Sequence, residues 1–281
     1  MMNPLFKLYN ANRVSSSAFR LVRGYGGDGG AEEEDVPSEE LGEGPDGGDV
    51  SMESTLYVYG TIGGWDYDGN TVTASKMVKA IAGLKATKDS TLHMRFNSPG
   101  GDVFEARAIK TAVEQFPGRT IAHVDALAAS AASFLMLGAD EVEIAPGAMV
   151  MIHNPWGVGV GDAAEMRRTA ALLDAVGDDI AKDYKGKTKI ATRDIKAMMD
   201  AETWMSADEA VDKGFCDRLM SKPSKAKASY DLSAYRNAPK ALVEAAEAQT
   251  EAEAEAERQK LWAQYQTERE QMEIRLRLLA A

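Results

Sequence analysis

The stretch HVDALAASAASFLMLGA, His123–Ala139, decides how the rest of the chain is read. Two serines sit among alanines directly after a short apolar, strand-like run. A buried helix tolerates alanine well but has no need of Ser130. A nucleophilic hydroxyl at a strand-to-helix corner does need small neighbours, so that a substrate backbone can come close. The stretch therefore suggests a strand, RTIAHV, followed by a helix that carries Ser130 near its start.

Working outward, strands and helices alternate. STLYVYGTI has strand composition and ends at glycines, and TVTASKMVKAIAGLK places Met77, Ile81 and Leu84 on one helical face. STLHMRFNSPGG is a strand broken by Pro99, Gly100 and Gly101. In DVFEARAIKTAVEQF, Val103, Ala106, Ile109 and Val113 recur near the helical period. Beyond the serine, DEVEIAPGAMVMIHNP reads as two short strands around Pro146-Gly147, and Ala163 to Lys185 as a longer helix. TRDIKAMMDAETWMSADEAVDKGFCDRL reads as two short helices and a closing strand. Such alternation indicates an α/β domain with mostly parallel strands, here over residues 52–222.

The flanks differ. Residues 1–51 begin as an acid-free arm bearing Lys7, Arg13, Arg20 and Arg23, as a basic arm or an organelle transit segment would. From Gly24 to Val50 Gly, Pro and acidic residues take over, the composition of a disordered linker. Residues 223–281 read as a polar linker, SKPSKAKASYDLSAYRNAPK, and then a charged helix rich in Ala, Glu, Gln and Arg. Its apolar positions are too sparse for a heptad seam.

Bulk properties bound the function. The formal net charge of −12 over 281 residues argues against a nucleic-acid surface, which needs clustered Lys and Arg. No run approaches the ~20 apolar residues of a membrane span. The single cysteine, Cys216, excludes an intrachain disulfide and a cysteine-based zinc cluster. Nothing calls for a cofactor or a metal.

A hydrolase serine needs a base, an orienting acid and backbone N–H donors for the oxyanion. Of the three histidines, His93 lies mid-strand and His123 reads as a half-buried strand residue. His153 sits where a strand ends and a loop opens, the place where α/β folds gather functional side chains. In NSPGGD, bare glycines at a helix start allow main-chain N–H groups to face an anion, although an ordinary turn has the same composition.

FNSPGGDVFEARAIKTAV, DALAASAASFLMLGAD, GAMVMIHNP and MSADEAVDKGFCDRL, in this order and spacing, together resemble the Clp protease proteolytic subunit. The resemblance covers about residues 55–220. It implies the ClpP/crotonase-like superhelix of repeated ββα units, with Ser130 as nucleophile, His153 as general base, and Gly101 and Ala131 as oxyanion-hole amides. The third triad position, four residues before Ser206, holds Glu202 where the family has aspartate, with Asp200 as the alternative. It further implies a ring-forming homo-oligomer acting on proteins or peptides, a handle helix from Ala163 to Tyr184, and a substrate-binding strand near Trp156 to Gly161.

The long arm and tail make the chain look more like the Clp-related head maturation proteases of tailed bacteriophages. These cleave capsid or scaffolding proteins in the procapsid, in the host cytoplasm and without an ATPase. On that reading the arm is a removable propeptide and the tail a scaffold-like segment. The alternatives are a cellular subunit serving an ATP-driven unfoldase, in the cytoplasm or an organelle matrix, a crotonase-like acyl-CoA enzyme, and a non-catalytic capsid scaffold.

Overall fold

A computed structural model describes residues 21–25, 52–63, 71–222, 230, 232 and 235–279. The remainder of the expected arm, most of the glycine-bearing loop after Ile62 and most of the polar linker lie outside the described residues.

The strands are β1 (Leu21–Tyr25), β2 (Met52–Tyr59), β3 (Thr91–Ser98), β4 (Arg119–Ala129), β5 (Glu141–Ile144), β6 (Met149–Ile152), β7 (Thr203–Ser206) and β8 (Arg218–Leu219). They form one sheet of order β1-β2-β3-β4-β5-β8, from which β6 branches off β4 and β7 off β6. β2, β3, β4, β5 and β8 run parallel, as does β6 on β4; β1 and β7 are antiparallel to their neighbours. The expected α/β class with mostly parallel strands is what the chain adopts.

Helices α1 (Ala74–Ala82), α2 (Val103–Glu114), α3 (Ala131–Leu135), α4 (Ala163–Thr188), α5 (Thr192–Asp200), α6 (Ala207–Asp212) and α7 (Lys240–Leu279) fill the connections. Their starts follow local chemistry. Asp102 caps α2 by accepting from Phe104 and Glu105 N–H, and Asp162–Glu165 and Ser206–Glu209 form reciprocal capping boxes on α4 and α6. Met77 and Ile81 of α1, and Ala106, Ile109 and Val113 of α2, are buried as their periodicity requires. They pack on Leu56, Val58, Leu92, Met94 and Phe96 from the parallel strands.

Three details depart from the sequence reading. The run before Ser130 is strand throughout, so β4 is eleven residues long, while α3 has only five residues before a 3₁₀ turn, Met136–Gly138. Alanine favours helix intrinsically, but here Leu127, Ala128 and Ala129 find partners on β6, and sheet pairing overrides propensity. An extra strand, β7, separates the two short helices. Within the expected flexible arm, Leu21–Tyr25 pairs with Met52–Leu56. Among the described residues no helix is long and apolar enough to cross a membrane.

Candidate active site

Strand register brings the candidate residues together. β4 serves two partners: Ile121–Val124 pair with β5, and Leu127–Ala129 with β6. Ala129 lies opposite Met151, and the Ser130 N–H donates to the Met151 carbonyl at 3.0 Å. Ser130 and His153 therefore leave adjacent parallel strands at the same end of the sheet. β7 runs antiparallel to β6 with Thr203 opposite Ile152, so one further step sets Glu202 across from His153. Ser98 pairs with Ala128, which carries the Pro99–Gly101 turn alongside Ser130.

The Ser130 Oγ is 2.7 Å from His153 Nε2. Ser130 has φ 53° and ψ −124°, a conformation that L residues rarely adopt and that throws the hydroxyl out of the strand-to-helix corner. The turn beside it tolerates no side chain. Gly100 has φ +96°, and a Cβ there would lie 2.6 Å from the Ala129 oxygen and 2.7 Å from the Ser130 Cβ. The bonds of this turn run from Ile62 N–H to the Gly100 carbonyl and from Asp102 N–H to the Ile62 carbonyl, so the Gly101 N–H takes part in neither. Ala131 is the first residue of α3, where helix N–H groups lack intrahelical acceptors. Ser133 is a packed helix residue, donating to the Ser130 carbonyl at 2.6 Å and bonded to the Tyr184 hydroxyl at 2.7 Å.

Burial lowers the His153 pKa from its ordinary value. The Glu202 carboxylate opposes that shift, and the Arg236 guanidinium adds to it. Glu202 is buried and, like Ser130, has positive φ (49°). Its carboxylate is not hydrogen-bonded to the imidazole. Oε1 accepts from Asn237 N–H at 2.7 Å and Trp204 Nε1 at 3.2 Å, and Oε2 from Arg236 N–H at 2.9 Å. Asp200 instead accepts from Asn154 Nδ2 at 2.7 Å and stays at the surface. Of the two acids, Glu202 is the one whose charge acts on His153.

The other two histidines lie on β3 and β4, away from this corner. His93 Nδ1 is 2.9 Å from His123 Nε2, and His123 Nδ1 is 3.1 Å from Glu143. A cleft of about 400 Å³ is bordered by Asn154 and Pro155, which follow His153 in the chain, and by Leu173, Gly177, Lys196 and Asp200. Trp156, Val158 and Val160 follow as exposed residues without strand pairing, where the resemblance implies a substrate-binding strand.

The polar linker contributes side chains that sequence reasoning missed. The Tyr235 ring meets the His153 ring edge-on at 5.4 Å and Trp204 at 5.9 Å, and its hydroxyl donates to the Pro99 carbonyl at 2.6 Å. Tyr230 and Leu232 are buried against Leu127, Ala129 and Met151. The only sign in the sequence was the apolar spacing of Tyr230 and Leu232 within a polar run.

A strained serine hydrogen-bonded to an imidazole at the carboxyl ends of parallel strands defines the class: an α/β protein with a serine–histidine pair at a strand-to-helix corner. Residues 67–223 match the Clp protease family, and the chain belongs to it. Among its curated relatives is the ATP-dependent Clp protease proteolytic subunit 1 of Leifsonia xyli, 29% identical over 140 residues, which are 48% of this chain and 71% of that protein. Proteolytic subunit 2 of Mycolicibacterium paratuberculosis is 26% identical over 144 residues, 50% of this chain and 71% of its own. The subunit of Bacteroides fragilis is 28% identical over 159 residues, 56% and 75% respectively.

Proposed function

We propose that the chain is a serine endopeptidase in which Ser130 attacks the scissile carbonyl and His153 takes its proton. The observation that carries this reading is the 2.7 Å contact between Ser130 Oγ and the Nε2 of the half-buried His153, whose pKa is lowered. Attack forms the Oγ–carbonyl carbon bond, and the proton taken by Nε2 passes to the leaving amine as the peptide bond breaks. Water, activated by the same imidazole, then hydrolyses the acyl-enzyme. The Gly101 and Ala131 amides serve the oxyanion. Glu202 is the orienting acid, a role supported by its register opposite His153. Copies of the chain form a closed ring, as the family resemblance implies, and the substrates are proteins or peptides lying along the cleft and the Trp156–Gly161 segment.

Cleavage of an unstructured fluorogenic peptide tests the reading. Wild type should turn it over, and Ser130→Ala and His153→Ala should each lose at least about a thousandfold in rate. Equal turnover by wild type and Ser130→Ala would reject it.

The substrates we assign are capsid or scaffolding proteins, cut without an ATPase during phage head maturation. The support is the chain beyond the family match, an acidic arm before residue 67 and a helical tail after residue 223. Mass spectrometry of mature particles should find the arm and tail removed; both intact would count against it. A second reading, an ATP-dependent cellular protease subunit, is favoured by the names of the relatives. Degradation of a folded substrate only when an ATP-driven unfoldase is added would decide for it.

A further inference from the structure

The Tyr235–Asn237 turn lies on the site itself. Tyr235, half-buried, packs its ring against both His153 and Trp204, and its hydroxyl binds the Pro99 carbonyl in the turn that flanks Ser130. A phenol has no carbonyl carbon to attack and no leaving amine, so this occupant fills the place without being turned over.

The next two residues act on the acid. Arg236 and Asn237 supply the main-chain N–H groups that hold both oxygens of Glu202, while Asn237 Nδ2 donates to the Ala201 carbonyl at 2.7 Å. A carboxylate occupied by these donors makes no hydrogen bond to the imidazole it is placed to orient. Tyr230 fastens the same stretch at a second point. Its hydroxyl donates to the Asn97 carbonyl at 2.5 Å and accepts from Gly60 N–H at 3.1 Å.

We infer that the Tyr235–Asn237 turn is an autoinhibitory contact made in cis. It fills the space beside Ser130 and keeps both oxygens of Glu202 bonded to donors other than His153, and the peptidase works only once the turn is displaced. This rests on the serine-peptidase reading above. In operation, a substrate or a neighbouring copy that removes Tyr235 both clears the space beside Ser130 and His153 and frees Glu202, so the two changes occur together.

The test is the rate at which a fluorophosphonate labels the full-length protein, with Ser130→Ala as the zero. If the open form is a minority of about one tenth, Tyr235→Ala should label about tenfold faster than wild type. Tyr230→Phe removes one hydroxyl that touches neither Ser130 nor His153, and should also accelerate labelling. If Tyr235→Ala does not fold, judged by its thermal transition, Tyr230→Phe alone decides. Ser130-dependent labelling that is unchanged or slower in the folded variants overturns the inference and leaves the peptidase reading standing. Absence of Ser130-dependent labelling from every protein overturns both.

Discussion

Ser130 is held at φ 53° by what surrounds it: the Met151 carbonyl on its N–H, Ser133 on its carbonyl, and Gly100 pressed against its Cβ. Strain of about 1–3 kcal/mol persists only where neighbours over-determine it. Gly100→Ala should therefore shift the corner, lowering stability by an amount in that same ~1–3 kcal/mol range and slowing Ser130 labelling by more than about tenfold. Urea unfolding and labelling kinetics check the two parts. His153 carries a second expectation. It acts as a base only when neutral, and burial lowers its pKa below the ordinary 6.5. The acid limb of the pH–rate profile should therefore lie below ~6.5, and a limb above that value would contradict the burial argument. Ser130 and His153 could be picked out as candidates because Ser130 follows an apolar run among small residues and His153 ends one just before Asn154-Pro155, and the structure brings the two within hydrogen-bond reach. The left-handed backbone at Ser130 and Glu202 was not legible, since it arises from contacts distant in the chain.

At the scale of elements, β4 does most to build the site. Its first half pairs with β5 and its second with β6, and this offset carries Ser130 to the strand end that His153 also occupies. Alanine gives no periodic signal, so the strand's length had to come from its partners. β7 was missed for a similar reason: four residues between two helices carry little pattern, yet their register puts Glu202 across from His153. On β3 and β4, Arg95 forms an ion pair with Asp125, whose fully buried carboxylate also accepts from the Tyr59 hydroxyl at 2.8 Å. Breaking a fully buried pair costs ~3–5 kcal/mol. The Arg95 side chain is 30% exposed, so Arg95→Ala should cost less, about 2–3 kcal/mol in urea unfolding. The link between Ser133 and the Tyr184 hydroxyl ties α3, the helix that follows Ser130, to α4. Tyr184→Phe would leave the buried Ser133 with its bond to the Ser130 carbonyl alone, and should cost about 1 kcal/mol.

For the whole molecule, the three histidines share one consequence. His93, His123 and His153 all have pKa values lowered, chiefly by burial. The unfolded chain therefore binds more protons than the folded one as pH falls through the ordinary imidazole value. Their contribution to stability is complete above ~pH 6.5 and is lost as pH drops below it, so the thermal midpoint should decline there. A midpoint that rises on acidification would reverse the sign. Cys216, buried with its pKa pushed up to about 12, should resist alkylation until the protein unfolds. The α/β class was legible from alternating periodicity, whereas the flanks read as flexible arm and polar linker also supply a strand, Leu21–Tyr25, and the buried Tyr230 and Leu232. The linker's return to the corner of Ser130 and His153 was not legible, because two tyrosines and a leucine in a polar run reveal nothing of where they dock. The account as a whole turns on Ser130 being the nucleophile. The most direct measurement is intact and peptide mass after long exposure of the full-length protein to diisopropyl fluorophosphate. One adduct mapped to Ser130, absent in Ser130→Ala and much slower in His153→Ala, is the predicted result. An adduct that persists in Ser130→Ala would contradict it.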